Sequence, residues 1–298
     1  MQRGRIAGWA LAVIAMLTLA YFGVGLFAAA RFTAPSDGPM EGTPADVGLD
    51  FRTVELQSTD GIGLSAWWIP GANSSRAAVL VHGWGGNKSN EQVLATAPIY
   101  AGAGYNVLIP DLRAHGASGG DRRTLGYRET RDVRGALGWL QERGFEAEEV
   151  VLHGWSMGAA TVVRSAPGTG VAAVVEECGY ADLPLLLPEE IPDSSGLPAF
   201  FNPGIMLSAK LFLNLDPWAV VPQREAARLS QKETLLLIIH STADDTVPFG
   251  HARMFREACP GAGFWRLEGY GHVEAYTHPE YRERLLNFLQ GLEARETT

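Results

Sequence analysis

The sequence predicts an α/β fold: a mostly parallel sheet with helices on both faces, led by an antiparallel hairpin and preceded by one transmembrane helix. Three observations predict it. From residue 77 onward short apolar runs alternate with helical patterns: "AAVLV" (77–81), "YNVLI" (105–109), "VVLH" (150–153), "VAAVV" (171–175), "LLLII" (235–239) and "FWRL" (264–267). Strands that are apolar throughout need cover on both faces, and intervening helices supply it. Before them, "FRTVELQST" and "IGLSAWWIP" flank an Asp-Gly pair at 60–61, the signature of a hairpin. Before both, residues 6–30 carry no charge.

That opening segment, "IAGWALAVIAMLTLAYFGVGLFAAA", spans about 37 Å as a helix, against about 30 Å for a bilayer core. Residues 1–31 are therefore expected to be a transmembrane anchor. The alternative is a signal peptide cleaved after "AAA", although the apolar region of a signal is normally about 7–15 residues. Arg3 and Arg5 precede the span, and Arg31 is soon followed by Asp37, Glu41 and Asp46. The positive-inside rule then puts the N-terminus in the cytosol and the body outside; signal cleavage would instead secrete the body.

The first 31 residues hold three arginines and no acid, so the net charge of −9 for the whole chain leaves −12 on the remainder. Such an acidic body argues against nucleic acid as a partner. Cys178 and Cys259 are the only cysteines, too few for a disulfide framework or a structural zinc site. They read as buried thiols, with a single bridge between them as the alternative.

Residues 32–48, rich in Pro, Gly and small side chains, read as a linker, and the folded domain is expected over 49–298. Within it Val133, Ala136, Leu137 and Leu140, and later Tyr281, Leu285, Phe288 and Leu289, follow helical spacing, which core packing explains. Residues 181–221 break the alternation with six prolines and no clean period. An insertion between two strands, lying over their carboxyl ends as a small cap, is the expectation.

Two stretches fit Gly-x-Ser-x-Gly, "GASGG" at 116–120 and "GWSMG" at 154–158, where chance supplies roughly 0.2 matches. Ser118 is followed by the polar "GGDRR" and reads as a loop accident. Ser156 sits in "VVLHGWSMGAATVV", a strand, a tight turn and the start of a helix, as a nucleophile elbow requires. Gly154 and Gly158 let strand and helix approach, and the helix N-terminus favours a developing anion. A serine hydroxyl needs a base, itself oriented by an acid. His272, in the glycine-flanked "LEGYGHVEAY", is the candidate base, and Asp244 or Asp245, in "IIHSTADDTVPF", the acid. An oxyanion would need backbone donors: Met157 N–H follows the nucleophile, and Trp84 N–H, in "HGWGGN", is the second choice. His82 there, and His153 and Trp155 around the elbow, read as structural.

On "VHGWGGN" (81–87), "DLRAHGASGG" (111–120), "LHGWSMGAAT" (152–161), "HSTADDTVP" (240–248) and "GYGH" (269–272), the chain resembles the α/β-hydrolase superfamily over roughly 51–298. The serine aminopeptidase-like and Bem46-like branches look most similar. The resemblance implies an α/β-hydrolase fold. Aligned on Val247 and Pro248 it selects Asp244 over Asp245, and it makes Asp111, Arg113 and His115 structural. Ser241 and Ala114 stand where the family commonly has glycine. Glu176 and Glu177 lie near where some relatives keep their acid and remain an alternative. What the resemblance implies is hydrolysis through an acyl-serine intermediate, without metal or organic cofactor, on a small-molecule ester. An aminopeptidase-type amide hydrolase and a non-catalytic membrane-anchored binding module are the rival readings.

Overall fold

The computed structural model describes residues 2–36, 38–72, 75–230 and 234–296. Eight strands form one sheet: β1 (Arg52–Gln57), β2 (Gly63–Ile69), β3 (Ala77–Val81), β4 (Asn106–Pro110), β5 (Val150–Trp155), β6 (Ala173–Glu177), β7 (Leu235–Ser241) and β8 (Gly263–Leu267). Their order is β1-β2-β4-β3-β5-β6-β7-β8. β1 pairs antiparallel with β2 and β2 with β4; every later pairing is parallel. The predicted fold class is thus the observed one.

Burial explains the apolar runs. Along β3, Ala77, Val79 and Val81 pack into the core on one face, and Ala78 and Leu80 into that on the other, because successive side chains leave a strand on opposite sides. The first face is covered by α3 (Thr130–Gln141), α4 (Met157–Ser165), α7 (Pro222–Leu229) and α8 (Gly250–Ala258), through side chains such as Val133, Leu140, Val162 and Phe255. The second is covered by α2 (Glu91–Gly102) and α9 (Tyr281–Glu296), through Val93, Tyr100, Leu285 and Leu289.

One boundary departs instructively from the sequence expectation. β6 runs through Glu176 and Glu177, where hydropathy ends the strand, and both carboxyls are buried. Buried polar groups persist when partnered: Tyr281 Oη donates to Glu177 Oε2 at 2.9 Å, and Gly179 N–H to Glu176 Oε1 at 2.7 Å.

The patternless insertion is helical. Between β6 and α7 lie α5 (Leu183–Ser195), α6 (Asn202–Leu213) and a short turn, Pro217–Ala219. Asp182 caps α5 by accepting from Leu185 N–H at 3.1 Å, and prolines occupy the first turn of α5 and α6, where a missing N–H costs no hydrogen bond. Pro188 and Pro192 lie within α5 and help to blur its period.

α1 (Gln2–Phe32) is one helix, long and apolar enough to cross a membrane. Residues 5–20 are exposed, while its last third docks on the cap. Residues 33–36 and 38–48 run along the domain and are hydrogen-bonded to it. Ser36 Oγ donates to Gly85 O at 3.0 Å, Asn87 Nδ2 to Gly38 O and Pro39 O at 3.1 Å, and Glu41 N–H to Ser89 Oγ at 2.8 Å. The small residues that read as a spacer leave backbone groups accessible to these partners.

Candidate active site

Between β5 and α4 the chain reverses at Ser156, with φ 55° and ψ −119°. A side chain rarely adopts this conformation, at a cost of about 1–3 kcal/mol unless the surroundings enforce it. Here they do. Ser156 N–H continues the β5–β6 ladder by donating to Glu177 O at 2.9 Å, and Ser156 O accepts from Ala160 N–H at 3.1 Å. The glycines give the approach: a Cβ on Gly154 would stand 2.6 Å from Ala159 N, and one on Gly158 only 2.5 Å from His82 O. Ser118 has no such setting; its Oγ donates to Asp111 O at 2.7 Å and accepts from Ser65 N–H at 2.9 Å, which ties down a loop.

Asp244 follows β7. Its Oδ1 accepts from Thr246 N–H at 3.0 Å and Val247 N–H at 2.8 Å, and its Oδ2 from His272 Nδ1 at 2.8 Å. Asp245 is exposed. A carboxylate only accepts, so the Asp244 bond puts the imidazole proton on Nδ1 and leaves Nε2 with a free lone pair. Thus the predicted acid and base are joined. No hydrogen bond links Ser156 Oγ to His272 among the described residues, yet the residue after Ser156's ladder partner Glu177 is Cys178, which adjoins the pair: its Sγ, a ring nitrogen of His272 and a carboxylate oxygen of Asp244 lie within 4.8 Å of one another. That spacing could admit a metal ion, but Asp244 Oδ2 is engaged by His272, and burial with neighbouring Glu177 and Asp244 pushes the Cys178 thiol well up.

The loop after β3 crosses the serine closely: a Cβ on Gly83 would stand 3.3 Å from Ser156 Cβ and 3.9 Å from Oγ. His82 pins it, with Nδ1 donating to Gly83 O at 2.8 Å and Nε2 accepting from Leu112 N–H at 3.0 Å. His115 accepts from Gly85 N–H at 3.3 Å. Trp84 N–H and Met157 N–H donate to no group among the described residues. The Asp111 loop is structural: Asp111 pairs with Lys88, and Arg113 joins Asp132 at 2.6 Å and Asp60 at 2.8 Å. Cys178 and Cys259 are both buried and unbridged.

Sequence reasoning missed one neighbour of the base, Cys178, and one acid within its electrostatic reach, Glu190. Cys178 reads from the sequence only as a buried thiol, although its place just past the end of β6 was a signal. Glu190 of α5 lies in electrostatic reach of His272 and Asp244, with its carboxyl raised mainly by burial and by Asp193. Nothing local in "LLLPEEIPD" distinguishes it.

Five other histidines, His82, His115, His153, His240 and His251, are buried, and burial disfavours their charged form. Burial lowers His82, His153 and His240, and His251, whose Nδ1 accepts from Ala181 N–H at 3.2 Å, falls from 6.5 to about 4, chiefly by burial and then by His240. Between those values the unfolded chain binds the proton and the folded chain does not, so His251 favours folding above pH 6.5 and that contribution is lost as pH falls to about 4. Urea titrations of the chain and of His251→Gln should therefore converge against the native protein by up to about 3 kcal/mol between neutral pH and pH 4. A pH-independent difference would refute the assignment.

Comparisons with known proteins agree with the architecture. Residues 78–285 match the sequence model of the alpha/beta hydrolase family. The chain is 24% identical over 259 residues to the uncharacterized protein YqkD of Bacillus subtilis, covering 83% of each. It is 27% identical over 187 residues to alpha/beta hydrolase domain-containing protein 17C of Xenopus tropicalis, covering 62% of this chain and 52% of the relative, about half its length. Among solved structures it is similar to the esterase Pf2001 of Pyrococcus furiosus, with TM-score 0.69, 23% identity, and 86% and 98% of the two chains covered. It is also similar to Est1E of Butyrivibrio proteoclasticus with bound ferulic acid, with TM-score 0.62, 17% identity, and 81% and 100% covered. At these identities the structural likeness speaks for the fold.

Proposed function

This chain belongs to the alpha/beta hydrolase family, and we propose that it is a serine hydrolase that cleaves an ester through an acyl-serine intermediate. Ser156 Oγ attacks the ester carbonyl while His272 Nε2 takes its proton. Asp244 orients the ring and stabilises the imidazolium. Met157 N–H and Trp84 N–H receive the oxyanion, each donor worth on the order of 10²–10³ in rate. The imidazolium then protonates the leaving alkoxide as the carbon–oxygen bond breaks. A water molecule, activated by the same nitrogen, hydrolyses the acyl-serine.

The observation that carries this reading is the 2.8 Å bond from His272 Nδ1 to Asp244, which frees Nε2 for proton transfer at the sheet edge that also holds the strained serine. Two donors without partners beside the serine support it. Within the family, the loop motifs favour the serine aminopeptidase-like and Bem46-like branches. α1 acts as a membrane anchor, with the N-terminus cytosolic and the hydrolase domain outside.

A membrane-impermeant fluorophosphonate tests both parts. Added to intact cells expressing the chain, it should label Ser156. Labelling only after lysis would reverse the orientation and leave the chemistry standing; failure to label the folded protein at all would overturn the hydrolase reading.

A further inference from the structure

The residues that leave α1 are built into the loop that carries Trp84. That loop opens with a turn from Gly83 to Gly86, closed by Gly86 N–H donating to Gly83 O at 3.3 Å, with Gly85 at φ 75°, a conformation that glycine adopts without strain. Gly83 O also accepts from His82 Nδ1 at 2.8 Å. Gly83 O and the Trp84 N–H belong to one planar peptide unit, so whatever holds the carbonyl fixes the direction of the donor.

Both polar groups of Gly85 are held as well, and both lead to Ser36. Gly85 O accepts from Ser36 Oγ at 3.0 Å. Gly85 N–H donates to His115 Nε2 at 3.3 Å, and His115 is the parallel bridge partner of Ser36: Ser36 N–H donates to Ala114 O at 2.9 Å, and Ser36 O accepts from Gly116 N–H at 3.2 Å. One residue shortly past the end of α1 thus clamps the turn from two sides. The bonds from Asn87 to Gly38 and Pro39, and from Glu41 to Ser89, continue the seam along the same loop.

The Trp84 side chain makes a second connection. Phe32, the last residue of α1, has its ring 6.2 Å from the indole, and the Arg123 guanidinium lies over the indole at 4.5 Å. Arg123 is tied to the same segment, its backbone N–H donating to Thr33 O at 2.9 Å and its Nε to Ala34 O. A spacer that only joined helix to domain would leave these backbone groups to water.

We propose that residues 32–36 brace the oxyanion loop, with Ser36 and Phe32 as positioning residues that hold the turn so that Trp84 N–H meets the developing oxyanion. The inference rests on the hydrolase reading for the role of Trp84, and deepens it by naming what governs that site: the seating of the membrane-side helix, from which the brace directly continues. An oxyanion donor acts in the transition state and not on the bound ester, so loosening the brace lowers kcat and spares KM.

The test is Ser36→Ala in the full chain, in phosphatidylcholine vesicles, read in two ways. Hydrogen exchange over residues 83–89 reports on the turn without any turnover, and should become about fivefold faster while β5 is unchanged. Hydrolysis of p-nitrophenyl acetate should show kcat about tenfold lower, with KM within about twofold of the native value. Ser36→Thr keeps the hydroxyl and should restore both readouts, and Phe32→Ala, which acts through the indole instead, should lower kcat in the same way. Exchange over 83–89 that is unchanged in Ser36→Ala, faster exchange with native kcat, or a loss of kcat that Ser36→Thr does not rescue would each overturn the proposal. A native chain that neither reacts with fluorophosphonate nor turns over the ester would instead overturn the hydrolase reading and the donor role with it, and the exchange arm would still decide whether Ser36 holds the turn.

Discussion

Ser156→Ala lowers kcat for ester hydrolysis about 10⁶-fold, and adding His272→Ala to it changes the rate by less than about threefold, because a nucleophile and its base act as one unit. No neighbour can substitute. The Cys178 thiol lies close to His272, but burial and the adjacent carboxylates hold it protonated, and a thiol without its thiolate is a poor nucleophile. Ser118 is committed to Asp111 and Ser65. What remains in the variant is rate from the oxyanion donors and from binding, about 10³–10⁴ over water. Turnover of p-nitrophenyl acetate, normalised by active-site titration of the native protein, measures it; a loss below tenfold would show that another group does the chemistry.

Gly158→Ala is the second large effect, and it strikes the fold and the site together. A Cβ there would overlap the carbonyl oxygen of Val81 and stand 2.5 Å from that of His82. Both obstacles are backbone at the end of β3, so no side chain can swing away. α4 must move off the sheet, and the movement opens the turn that holds Ser156 in its left-handed conformation. Overpacking of a core commonly costs about 1–3 kcal/mol; with two carbonyls in the way, a loss of about 3 kcal/mol or more is expected, together with loss of fluorophosphonate labelling in whatever protein folds. Gly138→Ala is the control, since its Cβ would meet nothing within 4 Å on α3, and relief of a mid-helix glycine should stabilise by about 0.5–1 kcal/mol. Equal melting temperatures for the native chain and Gly158→Ala would contradict the packing argument.

Much of this was legible before any coordinates. The hairpin, six parallel strands and both amphipathic helices follow from side-chain periodicity, which each segment carries by itself because burial on a sheet face repeats every two residues and on a helix every 3.6. The elbow was legible for the same reason: strand, glycine-flanked serine and helix are contiguous. β6 ran past its expected end because the partner of Glu177 comes from elsewhere, Tyr281 being 104 residues away. The cap hid its helices because prolines within and at the start of them erased the period.

The sequence alone determined the class of fold, the serine at its bend, the apolar span and the candidate acid and base, all of which are written in short contiguous patterns. Tertiary structure decided that Asp244 and not its neighbour holds His272, that Cys178 adjoins the pair, and that Tyr21 of the first helix closes on Gly204 of the cap across 183 residues. Those choices depend on which distant surfaces meet when the chain closes on itself, and a contact of that kind leaves no periodic trace along either segment that makes it.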